Sequence, residues 1–242
     1  MIKKIRADKY LKKFVDYCKN KFKDNLIGIV IYGSYAWGYF DKRKSDYDVF
    51  VIFKDKKPNG RKEIEGLFPK ISLQYFCTAN DLKRIVREGH FAPYITLLKS
   101  AKILYAKPDY QKFLKELSKI NFLEEMLDTV AYEWKAKYER NVLLKAKSGF
   151  KAAKWALPVL RKRLQLLALV RKRRLVWDLK KVLILNKDLL TKEERDFIAD
   201  LDKKVIARSR DFDLNDKKMA LRILGKIDRE LLLSLVGAEK LA

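Results

Sequence analysis

Residues 26–53 read LIGIVIYGSYAWGYFDKRKSDYDVFVIF. Two runs rich in β-branched and aromatic residues, 26–32 and 47–53, frame a charged connection punctuated by glycine. Each run is apolar without strict alternation, which reads as a strand buried on both faces. The first strand runs straight into Gly33-Ser34, and eleven residues later (35–45) Asp46-Tyr47-Asp48 opens the second. Side chains alternate along a strand, so Asp46 and Asp48 share one face while Tyr47 and Val49 point into the core. Two neighbouring carboxylates repel unless a cation lies between them. Mg²⁺ suits such a pair, because it takes oxygen ligands from one or two carboxylates and completes its shell with water and substrate phosphates. Gly33 lets the backbone approach a ligand closely. Ser34, with the N–H groups that open the next helix, suits a phosphate. Lys44 and Ser45, just before the aspartates, lie in the same loop, as do Lys42 and Arg43, and are further candidate phosphate contacts.

A strand, Gly-Ser, a short gap and Asp-hydrophobic-Asp-hydrophobic on a second strand together resemble the DNA polymerase β-like nucleotidyltransferase superfamily. The stretch GSYAWGYFDKRKSDYDVFVIF is similar to its minimal nucleotidyltransferase branch, where Ser-Asp-x-Asp is frequent. The later stretch TANDLKRIVREGHFAPYITLLKSAKILYA, residues 78–106, looks like the ending of that branch: two helices and a final Leu-Tyr strand. The resemblance covers residues 25–115. It implies a mixed sheet flanked by helices, Gly33 and Ser34 contacting a triphosphate, and Asp46 and Asp48 binding Mg²⁺, with two ions expected. It implies transfer of a nucleoside monophosphate from an NTP, with ATP expected, to a hydroxyl.

Two departures stand out. The family supplies a third carboxylate from its third strand as the base that deprotonates the acceptor. Here that strand is Ile71-Ser72-Leu73-Gln74-Tyr75-Phe76, and neither Ser72 nor Gln74 is a base at neutral pH. In some relatives a glutamate of the helical domain serves instead; Glu133 is the candidate here, with Glu125 second. Trp37 stands where the branch often carries Arg.

Around the motif, Asp8 to Lys23 reads as a helix with Leu11, Phe14, Val15, Cys18 and Phe22 on one face. Residues 54–60 form a turn-rich loop, and Asn80 is a candidate cap for a helix starting at Asp81. Ile103-Leu104-Tyr105 is a further short strand. From about Asn121 only helical periodicity remains, with breaks expected at Ser148-Gly149, Pro158, 186–188, 211–215 and Gly237. Thr191 followed by Glu194 is a fair helix start. The fold expected is α+β: an N-terminal nucleotidyltransferase-like mixed sheet flanked by helices over 1–115, then a basic all-helical bundle over 116–242.

Lys and Arg number 56 against 31 Asp and Glu, a formal charge of +25 over 242 residues. Residues 140–181 hold 14 Lys or Arg and one acid, Asp178, for a net of +13. Arg161-Lys162-Arg163 and Arg171-Lys172-Arg173-Arg174 bracket an apolar run. Charge packed this densely points to a polyanion, whose binding relieves repulsion and releases counterions. RNA is the partner expected, docked on those seven residues, with an anionic membrane surface second. Trp134, Tyr138, Phe150, Trp155 and Trp177 are interleaved, and bundle core explains them better than base stacking.

The alternatives keep the fold and change the acceptor to a protein, as in AMPylating antitoxins, or to a small molecule such as an antibiotic. A catalytically degenerate nucleic-acid-binding module is the third reading. The start has no signal-peptide pattern, no apolar run approaches the roughly 20 residues of a membrane span, and two cysteines fit a reducing cytoplasm. One histidine, His90, and two distant cysteines argue against structural zinc. Arg84 with His90 matches the Arg-His spacing of HEPN ribonucleases. His90 belongs to the first half, however, and the helical half has no histidine. Neither base preference nor oligomeric state is legible.

Overall fold

The computed structural model describes residues 7–38, 40–43, 45–88, 90–120, 129–146, 149–207, 209 and 211–239; for 37, 129–136, 150–151 and 235–239 it describes the backbone alone. The chain divides into two compact units, Met1–Phe122 and Leu123–Ala242.

The first unit opens with α1 (Lys9–Phe22). Asp8 caps it, its carboxylate accepting the Leu11 N–H at 2.9 Å. There follow β1 (Leu26–Ile31), α2 (Gly33–Trp37), β2 (Tyr47–Phe53), α3 (Arg61–Leu67), β3 (Ile71–Thr78), α4 (Ala79–Arg87) and α5 (Phe91–Ile95), which a wider helical turn extends over Thr96–Ser100. β4 (Lys102–Ala106) and α6 (Pro108–Ser118) complete the unit. The sheet order is β3-β2-β1-β4; β2 and β3 are parallel, and β1 runs antiparallel to both neighbours.

Both central strands are buried along almost their whole length because both faces are covered. On one face Leu11, Phe14, Val15, Cys18 and Phe22 of α1 pack with Ile29, Ile31, Val49, Val51, Phe53 and Phe76. Each fully buried side chain of that size contributes about 1.5–3 kcal/mol. On the other, Gly28 has no Cβ because Tyr110 of α6 lies over it: a Cβ there would come 2.5 Å from the ring. α6 thus belongs to the sheet unit, and the boundary expected at residue 115 falls inside it; the unit ends at Phe122.

Thr78, not Asn80, caps α4. Its hydroxyl accepts the Asp81 N–H at 3.1 Å and the Asp81 carboxylate accepts the Thr78 N–H, a reciprocal box that satisfies two end groups at once.

All the regular secondary structure among the described residues of the second unit is helical, and the molecule is α+β. Its helices are α7 (Thr129–Lys145), α8 (Phe150–Lys172), α9 (Leu179–Leu185), α10 (Lys192–Ala207) and α11 (Leu214–Glu239). α8 is the hub, packing on α7, α9, α10 and α11. Gly149, at φ +97°, starts it, and its N–H reaches the Phe212 carbonyl at 2.7 Å. Pro158 does not end α8. The proline forfeits one helical hydrogen bond, but Ala152, Ala156, Leu160, Leu164 and Leu167 keep one buried face continuous across it. Gly237 likewise lies within α11. The break the periodicity did not mark is 173–178, where Arg173 turns left-handed at φ +52°. Among the described residues no helix is long and apolar enough to cross a membrane.

Gly28→Ala is expected to lower stability by about 1–3 kcal/mol through overpacking against Tyr110. A urea denaturation midpoint checks it; an unchanged midpoint would mean that α6 does not press on β1.

Candidate active site

β1 and β2 converge where the motif residues meet. The Tyr32 N–H donates to the Asp48 carbonyl at 3.0 Å, carrying the ladder one step past the end of β1. The chain then turns at Gly33, which has φ +67°. A Cβ at Gly33 would come 2.5 Å from Asp48 Oδ2. Glycine is therefore required twice here, for the backbone angle and for the space that the carboxylate fills.

Asp46 immediately precedes β2 and is exposed, whereas Asp48 lies one strand period on and is half-buried. Between them Tyr47 turns inward, 3% exposed, against Tyr10, Tyr35 and Phe40. Its hydroxyl donates to Asp8 at 2.6 Å, and the Asp8 N–H donates to the Tyr35 hydroxyl at 3.2 Å. Burial, then the hydrogen bond to Asp8, push the Tyr47 phenol well above its ordinary value. Burial and the charge of Asp48 do the same to Tyr32. Asp8 thus joins three pieces: the start of α1, the helix that carries Gly33 and Ser34, and the residue between the two aspartates.

β3 supplies the neighbour. Ser72 pairs in register with Asp48, and Gln74 follows on the same face. The Gln74 amide donates to Asp48 Oδ1 at 3.3 Å and to Ser72 Oγ at 2.8 Å. The position at which the family offers a third carboxylate here offers a hydrogen-bond donor. Asp46, Ser72 and Gln74 line an open depression with Arg61 and Glu65 of α3. Arg61 binds Glu65 at 2.9 Å and the Leu73 carbonyl at 2.7 Å. These two residues escaped the sequence reading; the only signal was their i, i+4 spacing after the Pro58-Asn59-Gly60 turn.

Ser34 lies half-buried in the first turn of α2, next to Gly33. Ser45 is tied into its own loop: its Oγ accepts the Asp41 N–H at 3.2 Å and its N–H reaches the Asp41 carbonyl at 2.8 Å. Lys42 and Arg43 are exposed on that loop. Lys44 and Glu125 lie outside the described residues. Glu133 falls on α7, with its side chain outside them.

Among the described residues no group of three or more His, Cys, Asp or Glu side chains could hold a metal. Asp46, just before β2, lines the depression with Ser72 and Gln74, and Gln74 in turn binds Asp48, so the two carboxylates border the same group of β3 side chains. All their donors are oxygens, and the space over Gly33 admits the second carboxylate. That set fits Mg²⁺, which needs only one or two protein carboxylates.

The basic clusters of the second unit divide. Arg163 is 3% exposed and binds Glu139 at 3.0 Å and Asp228 at 2.9 Å. Arg171 binds Asp188 at 2.5 Å and Glu230 at 3.6 Å. Arg161 stacks on Trp177 with 4.9 Å to the ring centroid, and donates to the Trp177 carbonyl at 3.1 Å. Arg163 is therefore part of the bundle interior and offers no surface to a nucleic acid. Arg161 and Arg171 are largely spent on their own unit. Lys162, Lys172, Arg173 and Arg174 are exposed. Arg84 is held by Asp81 and Glu88 within the first unit, away from any ribonuclease-like pairing in the helical half.

Residues 11–128 match the nucleotidyltransferase domain family. The protein is accordingly a nucleotidyltransferase enzyme. Among solved structures the chain is similar to the spectinomycin adenyltransferase AAD(9) from Enterococcus faecialis, determined with ATP and spectinomycin. The identity is 13%, the TM-score is 0.55, and the match covers 93% of this chain and 99% of that one. Comparison with curated protein sequences gives no match.

Gly33→Ala is expected to lower nucleotidyl transfer on the order of 10²-fold by displacing Asp48, as sub-ångström to ångström misplacements do; steady-state kinetics on protein shown to be folded read it. Arg163→Ala is expected to cost about 3–5 kcal/mol, since it strands two largely buried carboxylates. Thermal and urea unfolding check this, and an effect near zero would put Arg163 back among the surface cations.

Proposed function

We propose that the protein transfers the nucleotidyl group of ATP to a hydroxyl of a polyanionic acceptor, RNA first, with Mg²⁺ held by Asp46 and Asp48. The single observation behind the catalytic part is the Asp48 carboxylate seated in the space left by Gly33, with Asp46 two residues before it on the adjoining depression. The acceptor oxygen forms a bond to the α-phosphorus while the bond to pyrophosphate breaks, and the hydroxyl proton leaves with no permanent change in the protein. Bound Mg²⁺ would neutralise charge that develops on the phosphate oxygens. Gly33 and Ser34 seat the triphosphate against the first turn of α2. Gln74 orients Asp48 through Oδ1, leaving Oδ2 toward the ligand side of Gly33. With Ser72 and Gln74 unable to take a proton, the base is Glu133 or Glu65; the second lines the depression that Asp46 shares.

RNA as acceptor rests on the net charge of +25 and on the cations that the helical unit exposes, Arg140, Arg222 and Arg229 as well as Lys172, Arg173 and Arg174. A second reading has its own support: an enzyme solved with an antibiotic shares this fold along 93% of the chain. In that reading a small hydroxylated molecule replaces RNA.

The deciding experiment offers each α-labelled NTP with Mg²⁺ to the purified protein, in parallel with bulk RNA and with spectinomycin. Label on RNA supports the first reading, label on the antibiotic the second, and label on protein overturns both. Asp46→Ala and Asp48→Ala are each expected to lose at least about 10²–10³-fold, as removal of one electrostatic stabiliser does, and chelation by EDTA is expected to abolish transfer until Mg²⁺ is restored. Transfer that survives EDTA would remove the metal from the reading. Glu65→Gln and Glu133→Gln locate the base, whose loss is expected to cost about 10²–10⁴-fold.

A further inference from the structure

Away from the 161–174 clusters, the helical unit gathers a second set of cations around a concave surface. α11 carries Arg222, Lys226 and Arg229 at i, i+4 and i+7, hence on one face. That face and Arg140 of α7 border an open crevice of about 660 Å³, with Gly225 at its base and the Thr191–Glu194 start of α10 along its side. Gly225 leaves the crevice unfilled, and the Arg140 guanidinium lies 3.7 Å from where a Cβ would stand.

The charges do not balance. Glu194, 3% exposed, takes Lys226 at 3.0 Å and Arg222 at 3.8 Å, and accepts the Thr191 N–H at 2.9 Å. Burial pushes its carboxyl up, but the Thr191 N–H and the two cations outweigh that and hold it below the usual carboxylate range. One anion therefore anchors two cations on the crevice wall. Glu193 is the other acid on the rim. Arg140 and Arg229 are exposed and make no ion pair among the described residues. Seven helical residues place Arg222 and Arg229 about 10 Å apart along the axis. That span exceeds a single phosphate and suits successive phosphates of a chain.

We infer that this crevice, rather than the Arg161–Arg174 region, holds the phosphate backbone of single-stranded RNA, with Arg140 and Arg229 as the principal contacts and Lys226 and Arg222 positioned by Glu194. The inference rests on the reading of RNA as acceptor and names the surface that docks it.

The test is salt-titrated fluorescence anisotropy of the full chain with a short labelled single-stranded RNA. For single strands each phosphate contact contributes about 0.7 to the slope of log K against log salt. Arg140→Ala/Arg229→Ala is expected to lower that slope by about 1.4 and to weaken binding on the order of 10-fold at 0.1 M salt. Arg140→Lys/Arg229→Lys is expected to restore both, since a phosphate accepts either cation. The charge-matched Lys172→Ala/Arg174→Ala variant is expected to keep the wild-type slope. An unchanged slope in Arg140→Ala/Arg229→Ala, an equal fall in Lys172→Ala/Arg174→Ala, or no salt-dependent RNA binding by the wild type would each overturn the crevice assignment. Label transfer judges the acceptor separately. Label on RNA with an unchanged slope keeps the acceptor and discards the crevice, whereas label on the antibiotic with a lowered slope does the reverse.

Discussion

Asp48 and residue 33 compete for the same volume, and the geometry of the first unit follows from how that competition is resolved. A carboxylate facing the turn between β1 and α2 leaves no room for a side chain there, and the turn itself needs a left-handed angle. With glycine present, the end of β1, the start of α2 and the first residues of β2 can close on one another. Oδ2 of Asp48 then faces the turn while Gln74 holds Oδ1. Two like charges bordering one group of side chains are costly in an empty protein. Their retention beside a fixed, close-packed turn is what a site built around a cation and phosphates requires.

Support for that site comes from the opposite face of the same strand. Tyr47 is the pivot: its ring sits among Tyr10, Tyr35 and Phe40, and its hydroxyl ends on Asp8, the residue that also caps α1. One carboxylate therefore ties helix entry, turn and strand together. Tyr47 is buried and its three aromatic neighbours partly so, and this ring cluster packs helix entry, turn and strand together on the face opposite the aspartates. The cluster of Tyr17, Lys21 and Glu63 adds a second tie, from α1 to α3.

Much of this was legible in the residues. The strand bounds of β2 and, to within a residue at each end, the extent of α1 follow from apolar spacing, whereas Asp8 stands outside the helix as its cap. The Gly-Ser and Asp-x-Asp pattern singled out one strand–turn–strand, and the structure brings Gly33 and Asp48 of that pattern against each other. What was not legible depended on tertiary contacts. Thr78 outcompetes Asn80 as a cap because Asp81 returns the bond. α8 runs through Pro158 because its buried face outweighs one lost hydrogen bond. Arg163 sits in a run of cations, yet its partners, Glu139 and Asp228, are distant in sequence and only the fold brings them in. Local charge density therefore overstated the surface potential of 161–174, and Arg140 and the α11 cations, some 80 residues apart, share a crevice only through the packing of their helices.

The contact between Gly28 and Tyr110 sets an order of assembly during synthesis. β1 is a central strand, but one of its neighbours, β4, and the helix that covers it lie far along the chain; Gly28 and Tyr110 are 82 residues apart. Only the pairing of β1 with β2 is available early. At elongation rates of about 5–20 residues per second, roughly 4–16 s pass between the appearance of the two residues at the ribosome. Throughout that interval the β4 edge of β1 and the groove over Gly28 are exposed, as an unpaired edge with an apolar face. Long-range closure of this kind slows folding, so the nascent chain passes through an aggregation-prone stage that ends when α6 is laid down.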